Sequence, residues 1–163
     1  REASIAAKRI AGAAGVKTAI SLSDPNMVKF FKAGLLDMIG SGVDLLFANR
    51  AELLSMYQTD DFAAALKTAS AEVAIVACTE GEHGAHILSG GKHWHVPAIP
   101  TQIVDATGAG DLFAGAFLWA ITNGHGLEAA GRMGCVAASE VISHIGARPE
   151  ADLAQLFRKH GLV

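Results

Sequence analysis

Apolar positions along this chain switch repeatedly between a helical period and short continuous runs, and the switching predicts its elements. Ile5 to Ala14 is alanine-rich with helical spacing and stops at Gly15. Lys17 to Leu22 reads as a buried strand, broken by Ser23-Asp24-Pro25. Asn26 to Ile39 places Met27, Phe30, Phe31, Leu35 and Ile39 at a helical period, which predicts one buried face. Val43 to Ala48 is a second strand, and Glu52 to Tyr57 and Asp61 to Ser70 are helices. Glu72 to Cys78 is a β-rich run without polar alternation, the pattern of a strand covered on both faces. Ala85 to Leu88 and His93 to Val96, joined through Ser89-Gly90-Gly91, predict a hairpin. Beyond it lie an apolar helix from Ala109 to Ala120, with Phe117 and Trp119 as expected core, and helices over Leu127 to Ser143 and Asp152 to His160. Strands alternating with helices predict an α/β fold, a mainly parallel sheet with helices on both faces.

Composition narrows the class. The 163 residues are 51% hydrophobic and 18% charged, with 18 glycines, as expected of one soluble α/β domain with many tight turns. A formal charge of −3 gives no electrostatic case for nucleic acid or an anionic membrane. No apolar run reaches the roughly 20 residues that span a bilayer. Arg1-Glu2-Ala3-Ser4 has no basic region leading into an apolar block, so no signal peptide is expected. Cys78 and Cys135 both fall in apolar runs and read as reduced, buried thiols of a cytoplasmic protein. The absence of an initiating methionine suggests a piece of a longer chain.

Candidate chemistry concentrates at Asp105-Ala106-Thr107-Gly108-Ala109-Gly110-Asp111, where a loop turns into the apolar helix. The first N–H groups of a helix lack carbonyls four residues back and carry partial positive charge, so they suit a phosphate or a developing oxyanion. Asp111 beside such a cradle would repel phosphate unless it accepts a proton from an attacking hydroxyl. The plain structural reading is a strand-to-helix turn with Asp111 as a cap.

Asn49-Arg50-Ala51-Glu52 follows a strand, the place where open α/β sheets bind ligands. It also fits an ordinary helix start, Asn as N-cap with Glu three residues on. Thr79-Glu80-Gly81-Glu82-His83-Gly84 again follows a strand. His83, His86, His93 and His95 invite a zinc reading, but no cysteine lies near, and strand alternation alone puts His93 and His95 on one face.

The run from Asp105 to Asp111, with small residues at Ala114, Gly115 and Ala116, resembles the second signature of the ribokinase-like (PfkB) carbohydrate kinases. The resemblance implies a three-layer ribokinase-like fold, Asp111 as catalytic base, and the amides of Gly108, Ala109 and Gly110 as an anion hole. It makes Asn49 and Glu52 phosphate and Mg²⁺ positioning residues, Glu52 acting through water. Thr79, Glu80, Gly81 and Gly84 would run along the nucleotide, with Cys135 near adenine, where ribokinases often carry Asn or His. Asp105 and the carbonyls of Thr107, Ile142, Ile145 and Ala147 would hold a monovalent cation, K⁺, with His144 and Arg148 tying down that loop. Leu22-Ser23-Asp24-Pro25, Val43 to Asn49 and Ala137 to Ile142 are most similar to the adenosine kinase branch.

Residues 1–163 correspond to the family's carboxyl-terminal, nucleotide-binding and catalytic portion. The amino-terminal half, with its lid, Gly-Gly motif and most acceptor contacts, is not represented. The expectation is an ATP- and Mg²⁺-dependent kinase acting on a primary hydroxyl of a nucleoside or sugar, with a homodimer open. A non-catalytic nucleotide-binding or assembly module is the rival.

Overall fold

The computed structural model describes residues 2–40 and 42–163; Arg1 and Ser41 lie outside the described residues. In chain order the elements are α1 (Glu2–Ala13), β1 (Ala19–Ser21), α2 (Pro25–Gly40), β2 (Leu45–Asn49), α3 (Arg50–Tyr57), α4 (Phe62–Glu72) and β3 (Ile75–Thr79). A 3₁₀ turn at Gly81–His83 then leads to β4 (Ala85–Ser89), β5 (Lys92–Val96), α5 (Ala109–Thr122), α6 (Leu127–Val141) and α7 (Leu153–Lys159). The mainly parallel α/β sheet expected from the alternation is present as a mixed five-stranded sheet, ordered β1-β2-β3-β4-β5. β1 and β2 run parallel with Ala19 opposite Leu45 and Ser21 opposite Phe47. Helices join β1 to β2 and β2 to β3, and for β1 and β2 that crossover is what a parallel pair requires. β4 and β5 are joined by Gly90-Gly91, both at positive φ. Among the described residues no helix is long and apolar enough to cross a membrane.

By its internal contacts the chain divides into two compact units, Arg1–Cys78 with Leu88–His93, and Thr79–Ile87 with Trp94–Val163. The first unit is built on Leu46, Val76 and Cys78 from its strands, packed with Val28, Leu53, Met56 and Ala69 from α2, α3 and α4. Three details depart from the pattern of the sequence. β1 is only three residues because Asp44 captures the Thr18 N–H at 2.8 Å, and the ladder begins beyond it. Glu72 ends α4 instead of opening a strand, and its carboxylate accepts the Tyr57 hydroxyl at 2.7 Å. α2 carries non-helical dihedrals at Phe31 (φ −119°, ψ 17°), and the break changes which face is buried. Val28 and Ile39 are the buried residues, while Phe30 and Phe31 are 73% and 58% exposed.

In the second unit α5 and α6 pack face to face. Phe113, Ala116, Phe117 and Ala120 are the buried residues of α5, and Met133, Ala137 and Val141 are among those of α6. Trp119, expected in the core, is 44% exposed; it lies at the rim, its ring 5.7 Å from His125 and 5.9 Å from Phe157. Helical periodicity explains the difference, since positions 113, 116, 117 and 120 share a stripe that 119 does not. Small residues let α6 come close. A Cβ on Gly131 would meet Ile87 at 2.9 Å, and one on Gly134 would meet the Phe113 ring at 2.6 Å. Cys78 and Cys135 are both free and buried, as expected.

The close approach at Gly134 sets a measurable cost. Overpacking of a filled core costs roughly 1–3 kcal/mol, so Gly134→Ala is expected to lower stability by about that much in a urea titration of the second unit's signal. An unchanged midpoint would mean that Phe113 moves aside freely.

Candidate active site

α5 starts in an unusual way. Its N-cap is Gly108, in the left-handed region at φ 85°, with no side-chain cap hydrogen bond. A Cβ there would lie 2.9 Å from both Cα and Cβ of Ala147, so the position requires glycine twice, by dihedral and by space. The Leu112 N–H closes the first helical bond onto the Gly108 carbonyl at 2.9 Å. The Ala109 N–H makes a long 3.3 Å bond to the Ala106 carbonyl, so one amide of the expected hole is partly engaged. Among the described residues, the N–H groups of Gly108, Gly110 and Asp111 have no backbone acceptor. Asp111 is exposed in the first turn of α5, and its carboxylate makes no hydrogen bond among the described residues. The result is an uncommitted carboxylate beside free N–H donors at the positive end of a helix.

Asp105 holds this start to the loop after α6. Its Oδ1 accepts the Thr107 N–H at 2.9 Å and its Oδ2 accepts the Gly146 N–H at 3.1 Å. Hydrogen bonds from Thr107, and then from Gly146, hold its carboxyl below the usual carboxylate range. The set expected to bind K⁺ is therefore already spoken for in part. The Ile142 carbonyl accepts two N–H groups, Val104 at 2.8 Å and Asp105 at 3.3 Å, and does not fit as a cation ligand. The Ile145 carbonyl faces His144 Nδ1 at 3.4 Å. Thr107 and Ala147 remain in the loops on either side of Gly108, Ala147 packed against it. His144 stands 3.4 Å from Glu140 and 3.8 Å from Glu150, ion pairs when its imidazole is protonated, while Glu140 Oε1 holds the loop's backbone by accepting the Glu150 and Ala151 N–H groups, each at 2.8 Å. Burial pulls its imidazole down, but the Ile145 carbonyl and the Glu150 and Glu140 carboxylates outweigh that and raise it. Arg148 is exposed and makes no ion pair among the described residues, so the loop is held without it.

A cavity of about 540 Å³ lies within the second unit beside the α5 start. Seven of the residues singled out from the sequence line it: Thr79, Gly81, Gly84, Ala109, Gly110, Cys135 and Ile142. Burial pushes the Cys135 thiol up to about 12, so it offers only a weak S–H donor. Glu80 is not in the lining; its carboxylate is 2.9 Å from His86 Nε2. Sequence reasoning missed the segment 98–103 and the face of α6 that carries Ala138 and Ser139. The second was findable, because Cys135, Ala138, Ser139 and Ile142 stand at i, i+3, i+4 and i+7.

In the first unit, Asn49 and Glu52 form a closed capping box. The Asn49 side chain accepts the Glu52 N–H at 2.9 Å, and Glu52 accepts the Asn49 N–H and Nδ2, each at 2.8 Å. Glu52 is 4% exposed. Burial raises its pKa, partly countered by the Asn49 N–H, and Asp24 raises it further. The helix-start reading is thus realised. Each carboxylate oxygen keeps a second lone pair, which suits Mg²⁺ reached through water better than direct ligation. Among the described residues no group of three or more His, Cys, Asp or Glu is placed to hold a metal by itself.

These features can be set against known proteins. Residues 2–153 match the pfkB family carbohydrate kinase. The chain is 45% identical to a probable sugar kinase protein from Rhizobium etli CFN 42, with a TM-score of 0.96 over 99% of this chain and 50% of that one. It is 41% identical to adenosine kinase from Sinorhizobium meliloti, with a TM-score of 0.93 over 97% of this chain and 49% of that one. Adenosine kinase 1 of Arabidopsis thaliana is 31% identical over 142 residues, 78% of this chain and 41% of that protein. The chain therefore spans about half the length of the relatives it matches. It has the ribokinase-like fold, and it belongs to the pfkB family of carbohydrate kinases.

Proposed function

We propose that this chain is the nucleotide-binding and catalytic portion of a kinase that moves the γ-phosphoryl group of ATP to a primary hydroxyl of a nucleoside. The observation that carries the reading is the start of α5, where the uncapped N–H groups of Gly108 and Gly110 stand beside the uncommitted Asp111. Family membership supports the reaction class, and the cavity beside that start supports a nucleotide-sized ligand.

Asp111 accepts the proton of the acceptor hydroxyl as its oxygen attacks the γ-phosphorus. The bond to the β–γ bridging oxygen breaks, and ADP leaves with that electron pair. The Gly108 and Gly110 N–H groups face the charge on the transferred group, where fixed dipoles act without reorganisation. Mg²⁺, when bound, neutralises charge across the phosphates. In the first unit, Asn49 and Glu52 would hold Mg²⁺ through water, the buried Glu52 being kept in place by its two bonds from Asn49. Asp105 keeps the α5 start in register with the Gly146 loop.

A free sugar is the second reading of the acceptor, favoured by the 45% identity to a probable sugar kinase protein. Nucleoside is preferred because the segments at Leu22–Pro25 and Ala137–Ile142 resemble the adenosine kinase branch and an adenosine kinase is 41% identical. A cytoplasmic location goes with either reading.

Two outcomes check this. A general base contributes typically ~10²–10⁴-fold, so Asp111→Asn should lower kcat by about that factor while Mg·ATP affinity stays near that of the unaltered protein; normal turnover would remove Asp111 from the role. In an ADP-release screen with adenosine, inosine, ribose and fructose, kcat/KM should be highest for a nucleoside. A higher value for a free sugar would reassign the acceptor and leave the Asp111 chemistry in place.

A further inference from the structure

The Thr79–Gly84 loop is fixed from two sides, and one of them involves side chains with no role in the chemistry above. Gly84, at φ 96°, sits so close to the end of β5 that a Cβ would fall 2.0 Å from the Val96 carbonyl oxygen. The loop closes on itself through the Glu80 N–H to the Gly84 carbonyl at 2.7 Å and the His83 N–H to the Glu80 carbonyl at 3.1 Å. On the hairpin, burial alternates: Ala85 and Ile87 of β4 and Val96 of β5 are buried, while His86 and His95 are not. His86 and His95 meet with ring centroids 4.8 Å apart. His86 Nε2 lies 2.9 Å from Glu80 Oε2, and His95 Nε2 lies 2.8 Å from the His83 carbonyl oxygen. A carboxylate and a carbonyl only accept, so both imidazoles donate through Nε2. The His86 and Glu80 side chains are 14% and 13% exposed, which makes this bond stronger than one at an open surface.

Two neighbouring imidazoles thus hold two points of the loop, Glu80 by its side chain and His83 by its backbone. The residues between and beside those points, Gly81, Glu82 and Gly84 together with Thr79, line the cavity. We propose that His86 and Glu80 are positioning residues, whose hydrogen bond, backed by His95, fixes the nucleotide-facing shape of the Thr79–Gly84 loop and so sets nucleotide affinity. This rests on the nucleotide reading of the cavity given above. It also gives Glu80 a role different from direct nucleotide contact. Neither residue touches the reacting atoms; a loop out of place loses contacts to bound nucleotide and leaves the α5 start unchanged.

The test uses His86→Leu, Glu80→Ala, the double variant and His86→Gln, whose side-chain amide restores a donor near Nε2. Amide hydrogen exchange in the free protein comes first. His86→Leu and Glu80→Ala should each speed exchange of the Glu80, His83 and Gly84 amides by about tenfold or more, while α5 and α6 amides keep their protection. Calorimetric titration with Mg·ATP should then show affinity weakened about tenfold by either change, no further loss in the double variant, and recovery in His86→Gln. In turnover, KM for ATP should rise while kcat changes far less. If His86→Leu does not fold, Glu80→Ala, a change in the loop itself, carries the same measurements. Unchanged loop exchange in the variants overturns the proposal, as does normal Mg·ATP affinity with a loosened loop, or additive losses in the double variant. Failure of the unaltered protein to bind Mg·ATP would instead overturn the function proposed above, while exchange in the free protein would still show whether His86 and Glu80 hold the loop.

Discussion

A helix that begins without a side-chain cap leaves its first N–H groups to the solvent or to a ligand, and α5 begins that way. The cause is local packing. Gly108 lies against the backbone of Ala147 in a left-handed conformation that excludes any side chain, and so excludes a capping Ser, Thr or Asp at that position. Asp105 makes the arrangement rigid by accepting from Thr107, two positions on, and from Gly146, 41 positions on. Losing a cap costs a helix about 1 kcal/mol. Here α5 is held by its buried apolar stripe, with Phe113 and Phe117 essentially inaccessible, so its start is free to serve another purpose.

The other helix start singled out from the sequence shows the opposite solution. α3 closes its first turn completely, with Asn49 and Glu52 each donating to and accepting from the other's side of the box. The contrast bears on function. At α3 the polar groups are spent on the fold, the buried Glu52 carboxylate included. At α5 the apolar stripe secures the fold, and the polar groups of its start are left uncommitted. The cavity in the second unit is lined by Ala109 and Gly110 of that same start, which brings one of the free donors, the Gly110 N–H, to the wall of the space a ligand would occupy.

Much of this was legible because it rests on local chemistry. The Asp105–Asp111 run, the Asn49/Glu52 spacing and the alternation of elements each encode short-range geometry, and the element order follows them closely. What was not legible depends on tertiary contacts. Phe30 and Phe31 fit a helical period and yet lie exposed, because a break in α2 shifts the face that Val28 and Ile39 bury. Trp119 is a large apolar residue one step off the stripe that packs on α6. Glu80 belongs to a glycine-rich loop but is claimed by His86, a partner visible only once the hairpin is folded. The Ile142 carbonyl is taken by the chain at Val104 and Asp105, which no spacing within 142–148 announces.

The position of a transferring phosphoryl group relative to the start of α5 decides between a catalytic Asp111 and an idle one. A crystal structure of the protein with ADP, Mg²⁺, aluminium fluoride and an acceptor nucleoside tests that directly. The planar fluoride should lie with its fluorines within about 3 Å of the Gly108 and Gly110 N–H groups, as donors aimed at a developing charge require, and the acceptor hydroxyl should point at the Asp111 carboxylate. A fluoride seated away from the start of α5, or an acceptor hydroxyl turned from Asp111, would contradict the account.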